Sequence, residues 1–110
     1  MNKELTSKKI EELQALEQHL QNFLSQKQAV QIELNEIENA LSEIKETSGE
    51  VYKITAGFLI QSDKESVKKE LDEKKKLLNI RVEAISKQEK LIEKDVVKLK
   101  DEINKLMTNG

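Results

Sequence analysis

The sequence contains no cysteine, no proline and no tryptophan, only three glycines, and 3% aromatic residues. Without cysteine there is neither a disulfide framework nor a thiolate metal site. Without proline, and with so little glycine, few residues break a long helix. No apolar stretch approaches the length that spans a bilayer. The opening M-N-K-E-L-T-S-K-K lacks the apolar run of a signal peptide. A soluble, cytoplasmic chain with no membrane partner is the expectation. His19 is the only histidine and has no second histidine or cysteine to join as a ligand. Gly49, Gly57 and Gly110 are too scattered for a phosphate-cradling loop. The many carboxylates fall on expected helices, with no pocket to raise a pKa. The sequence therefore points away from an enzyme, a metal and a cofactor.

Charge is what the chain has in abundance, at 36% of 110 residues. That profile belongs to long helices and coiled coils rather than to a compact globule. Residues 1–48 carry 5 Lys against 9 Asp or Glu, and residues 63–110 carry 13 Lys or Arg against 11 Asp or Glu. Two antiparallel helices of opposite net charge attract each other weakly. The overall charge of −2 argues against a nucleic-acid partner, which would want a basic face. The cluster Lys68, Lys69, Lys74, Lys75 and Lys76 is interleaved with Glu65, Glu70, Asp72 and Glu73, as on a solvated helix face.

Apolar residues recur at Leu13, Leu16, Leu20, Phe23, Val30, Leu34, Ile37, Leu41 and Ile44, in steps of three and four, with Lys27 in the one polar slot. This heptad seam predicts a first helix over residues 3–47, stopped before Gly49. A second seam is stricter: Leu71, Leu78, Ile85, Ile92, Leu99 and Leu106 recur every seven residues, with Lys75, Val82, Glu89, Val96 and Ile103 between them. It predicts a second helix over residues 63–107, opened by a capping box of Ser62 and Glu65. The fold class is mostly α, a long antiparallel two-helix coiled coil within one domain, 1–110. Pairing the helices outward from their connection sets Lys27 near Glu89, as a register-fixing contact or as two polar groups snorkelling separately.

Between the seams, residues 49–62 read G-E-V-Y-K-I-T-A-G-F-L-I-Q-S. β-branched and aromatic residues flank Ala56 and Gly57, predicting a β-hairpin of Glu50 to Thr55 and Phe58 to Gln61. Val51, Lys53, Thr55, Phe58 and Ile60 share one face, and Tyr52, Ile54, Leu59 and Gln61 the other. Both faces are mostly apolar. A lone two-stranded ribbon cannot cover them, so Val51, Tyr52, Ile54, Phe58, Leu59 and Ile60 form an expected oligomerisation surface.

Toward the N-terminus the first seam degrades, with a step of five from Leu5 to Ile10 and two successive steps of three to Leu13 and Leu16. Such spacing rotates an apolar stripe off the supercoil axis. Leu5, Ile10, Leu13, Leu99, Ile103, Leu106 and Met107 are then incompletely covered where the two chain ends meet. They are either an apolar patch for irregular partners, which Met suits, or frayed terminal heptads.

The stretches Gln26 to Glu36, Ala40 to Ile44 and V-Y-K-I-T-A-G-F-L-I at Val51 to Ile60, with the set Leu71, Leu78, Arg81, Ile85, Gln88, Glu89 and Ile92, resemble the β-type subunit of prefoldin in its short archaeal form. The likeness covers nearly the whole chain. Where the family usually has Val-Gly at the turn, this sequence has Thr55 and Ala56, with the glycine at Gly57. The resemblance implies a hexamer of two α-type and four β-type subunits, its hairpins joined in β-barrels. It implies an ATP-independent holdase that grips unfolded polypeptides at its coiled-coil tips and delivers them to a group II chaperonin. Docking to that chaperonin would use charged tip residues such as Asp101 and Glu102; the alternative is that these are ordinary solvated charges. From another class, the rival is a structural coiled-coil adaptor or spacer without chaperone activity.

Overall fold

A computed structural model describes residues Lys3 to Asn109, so the ends of the expected 1–110 domain lie outside it. Two long helices flank a hairpin: α1 is Lys3–Glu46, β1 Val51–Thr55, β2 Phe58–Ser62 and α2 Lys64–Asn109. The last turn of α1 closes at Thr47, whose amide donates to the Glu43 carbonyl at 3.0 Å and the Ile44 carbonyl at 3.3 Å, and whose hydroxyl donates to the same Glu43 oxygen at 2.6 Å. Lys64 Nζ then donates to the Thr47 carbonyl at 2.9 Å, satisfying a helix-end acceptor that would otherwise depend on water.

The strands pair antiparallel with Tyr52 opposite Gln61, Lys53 opposite Ile60, Ile54 opposite Leu59 and Thr55 opposite Phe58. This is the facing arrangement read from the sequence. Ala56 and Gly57 take φ of 51° and 81°. Positive φ at both central residues is the signature of a type I′ turn, whose twist matches that of the strands it joins.

The start of α2 differs from the expected capping box. Asp63, not Ser62, is the cap: its Oδ2 accepts from the Ser66 amide at 3.3 Å and the Ser66 hydroxyl at 3.2 Å. Ser62 is still paired with Val51 as the last residue of β2, and its hydroxyl turns back to the Ile60 carbonyl at 3.4 Å. Held extended by the ladder, Ser62 leaves the capping position to the next oxygen-bearing side chain.

The chain divides into two compact units, one of Ala29–Val82 and the other of the residues up to Gln28 and from Glu83 onward. In the hairpin-bearing unit, Val30, Leu34, Ile37 and Leu78 form a buried cluster, with Leu41, Leu71 and Val82 packed against it. All seven are seam positions. Lys75 reaches Glu38 at 3.6 Å across the pair of helices.

In the other unit the buried side chains are Ile85, Val96, Leu99 and Ile103, all from α2. Leu13, Leu16, Leu20 and Phe23 of α1 are half-buried. Two ion pairs bridge the helices: Lys27 to Glu89 at 2.8 Å and Lys9 to Glu102 at 2.7 Å. The expected drift of the α1 stripe does not occur. Thr6 and Lys9, both half-buried, continue the steps of three and four below Leu13. The seam keeps its register and turns polar, which leaves Leu5 and Ile10 beside it and exposed. Leu99 and Ile103 correct the expectation of incomplete cover, each being only 7% exposed.

Candidate functional site

Two surfaces carry exposed apolar side chains in a density that calls for a partner. On the hairpin, Tyr52, Ile54, Phe58, Leu59 and Ile60 are all exposed, Ile54 by 75%. Val51 is half-buried. Lys53 reaches Glu70 of α2 at 2.6 Å, which ties the face of Val51, Phe58 and Ile60 toward the helix. The face of Tyr52, Ile54 and Leu59 has no such tie. The Tyr52 hydroxyl donates to Glu50 Oε2 at 2.5 Å. That bond to a carboxylate, helped by slight desolvation, raises the phenol pKa above its usual value, because a phenolate beside Glu50 would lose its acceptor.

The second surface lies where α1 begins and α2 ends. Ile10, Leu106 and Met107 line a cleft of ≈ 540 Å³, whose polar walls are Lys3, Thr6, Ser7, Glu11 and Gln14. Met107 is 68% exposed, and its unbranched thioether can follow an irregular apolar partner. The cleft exists because Thr6, rather than a large apolar residue, occupies the seam slot facing this end. Of the seven apolar residues expected here, Ile10, Leu106 and Met107 line the cleft, Leu5 is exposed, Leu13 is half-buried, and Leu99 and Ile103 belong to the core.

Asp101 and Glu102 are adjacent in sequence but differently engaged. Asp101 is exposed and pairs with Lys105 one turn along α2 at 3.2 Å. Glu102 is held by Lys9 of α1, and this hydrogen bond, together with the charges of Lys9 and Lys98, keeps its carboxyl below the usual range. Desolvation and Asp101 oppose that shift.

Thr6 and Lys9 are invisible to a count of apolar residues, although a strict count of three and four from Leu13 lands on both. Leu24, Leu91 and Val97 are exposed apolar residues that lie off the seam and give no periodic signal. His19 lines a groove with Lys9, Glu12, Asp95, Lys98 and Glu102 and with the apolar Ala15, Leu16 and Leu99. Among the described residues no group of three His, Asp or Glu is placed to hold a metal ion, and no helix is long and apolar enough to cross a membrane.

A family model described as prefoldin subunit matches residues 7–110. The prefoldin subunit beta of Pyrobaculum islandicum is 40% identical over 88 residues, spanning 78% of this chain and 70% of that protein. That of Sulfurisphaera tokodaii is 35% identical over 97 residues, spanning 86% of this chain and 78% of that protein. The crystal structure of the prefoldin beta subunit from Thermococcus strain KS-1 superposes with a TM-score of 0.88 at 30% identity, covering 96% of this chain and 95% of that one. In sequence and in fold alike, the chain belongs to the prefoldin family, among its β-type subunits.

Proposed function

We propose that this chain is one subunit of an ATP-independent holdase that captures non-native polypeptides and hands them to a group II chaperonin in the cytoplasm. The observation that carries the capture step is the open cleft of Ile10, Leu106 and Met107, with Met107 exposed at its mouth. A client segment burying about 200 Å² of apolar surface there would gain on the order of 5 kcal/mol before ordering costs are subtracted. Single contacts of that size dissociate readily, so several subunits acting together supply the affinity and release needs no nucleotide.

Assembly is the role of the hairpin. Its two exposed apolar faces and open strand edges gain cover only from other chains. The family suggests the completing partners: an α-type subunit, two with four β-type chains, the hairpins closing into β-barrels. Docking on the chaperonin is assigned to Asp101 and Glu102, of which Asp101 is the more available because Glu102 is engaged by Lys9.

The test is co-expression with an α-type subunit, followed by native mass spectrometry and light scattering of a denatured client diluted into the assembly. A heterohexamer that suppresses aggregation, and that loses most of this when Ile10→Ser and Met107→Ser are combined, is the expected result. Homo-oligomers without suppression would instead support a spacer. Full suppression by the double variant would remove the cleft from the mechanism.

A further inference from the structure

Residues on the flank that bears the cleft recur at heptad spacing. Ile10, Glu17 and Leu24 follow each other at seven-residue spacing on α1, and Glu93 and Met107 are two such steps apart on α2. Residues seven apart lie on nearly the same side of a helix, about 10 Å from one another along its axis. Beyond the apolar cleft, a second groove is therefore found on the same flank, floored by Leu20 and Leu24 and walled by Glu17, Gln21, Glu89 and Glu93. Leu24 is 45% exposed there, although it stands outside the seam.

The charged walls of this second groove are of one sign, whereas the cleft carries one of each, Lys3 and Glu11. Glu89 is engaged by Lys27, whereas neither Glu17 nor Glu93 has an ion-pair partner among the described residues. Lys100, between Glu93 and Met107 on that flank of α2, lines neither groove. An apolar floor between two uncompensated carboxylates favours a side chain with an aliphatic stem and a cationic head, whose stem covers Leu24 while its head meets the acids.

We propose, resting on the capture reading above, that cleft and groove form one track for an extended non-native segment, with an aliphatic anchor at Ile10, Leu106 and Met107 and a Lys or Arg read by Glu17 and Glu93. An extended chain advances about 3.4 Å per residue, so the cation belongs about three positions from a side chain at Ile10 to meet Glu17 and about six from one at Met107 to meet Glu93. Acidic segments with the same apolar content are disfavoured. The track thus ranks unfolded clients by the charge that accompanies their apolar residues.

The test uses the full chain in its assembly and fluorescent, unstructured peptides read by anisotropy. Three share a leucine-methionine anchor and carry Lys, Ser or Glu at both about three and about six positions from it; a fourth is oligolysine without an anchor. The Lys peptide should bind about three- to tenfold tighter than the Ser peptide, the size expected of one or two exposed ion pairs, and the Glu peptide weaker than both. Combining Glu17→Gln with Glu93→Gln should bring the three together while leaving the Ser peptide's Kd unchanged. Equal binding of all three by the unaltered protein, a preference that survives the double variant, or oligolysine binding as tightly as the anchored Lys peptide would each overturn the track while leaving capture intact. Failure of every anchored peptide to bind would overturn the capture reading and the track together.

Discussion

Lys27 Nζ lies 2.8 Å from Glu89 Oε1, joining a polar slot of the first seam to a polar slot of the second. Of a contact between them or two side chains reaching separately into water, the structure has the contact. Neither group is fully exposed, with side-chain accessibilities of 32% and 15%. The pair is therefore less screened than a surface ion pair, and a one-heptad slip would put each charge against an aliphatic residue.

A double-mutant cycle with Lys27→Ala and Glu89→Ala should return a coupling of about 1 kcal/mol in urea unfolding followed by circular dichroism. Replacing both by leucine should raise stability by about 1–4 kcal/mol, because two partly buried charges exchange desolvation for packing. The same double variant should lose specificity of pairing, seen as mixed species in native mass spectrometry. A coupling indistinguishable from zero would reduce the pair to a coincidence of reach.

Val30, Leu34, Ile37 and Leu78 are the most continuous buried cluster of the hairpin-bearing unit. Leu34→Ala removes a side chain from the middle of it and should cost about 2–3 kcal/mol, the low end for a buried leucine because a two-helix seam can partly close around the gap. Leu77→Ala, on an exposed neighbour one residue from Leu78, should shift the thermal midpoint little. Comparable losses at both would mean that the outer face of α2 is covered after all.

Where the sequence was informative, a packing period left its mark on residue type. From Leu13 to Ile44 and from Leu71 to Leu106, every apolar slot of the count is buried or half-buried. The facing pairs of the hairpin followed as directly, since a two-residue loop fixes register. Below Leu13 the seam is hidden from a count of apolar residues because Thr6 and Lys9 hold its slots, and such a count lands on Leu5 and Ile10 on either side. Ser62 against Asp63 as the cap depended on how far the strand ladder runs, which no local signal in S-D-K-E records. Leu99 and Ile103 remained covered because the second seam kept its strict repeat whatever the first one did.

Ala56 holds a left-handed φ of 51° in a turn position that favours Asn or Gly. An alanine there carries a steric cost of about 1 kcal/mol that glycine avoids. Ala56→Gly should therefore stabilise the hairpin by a few tenths to about 1 kcal/mol, reduced by the greater freedom glycine adds to the unfolded chain. Gly57→Val, at φ 81°, should destabilise it and hinder assembly. No Cβ clash stands in the way at either glycine of the loop region, since nothing lies within 4 Å of a Cβ built on Gly57 or Gly49, so the penalty at Gly57 is one of backbone conformation. Amide chemical shifts and exchange across Val51 to Ser62 would check both changes.

Lys9 and Glu102 set the pH response of the end that bears the cleft. The Glu102 carboxyl is held below its usual range, first by the hydrogen bond from Lys9 and then by that residue's charge. A carboxylate with a depressed folded-state pKa contributes stability that is complete above its unfolded value and disappears as pH falls through the folded one. Nothing should change between neutrality and the ordinary carboxylate range. Below it, amides from Leu99 to Leu106 should exchange faster as Lys9 loses its partner, and higher salt should weaken the same protection. Glu102→Gln should already show the faster exchange at neutral pH and should remove this part of the acid response. Lys9→Leu should act in the opposite sense, since an apolar residue in that seam slot extends the packed stripe and holds the end closed over Ile103. If capture depends on this end yielding to its client, Lys9→Leu should then suppress aggregation less well than the unaltered chain, even though it is the more stable protein.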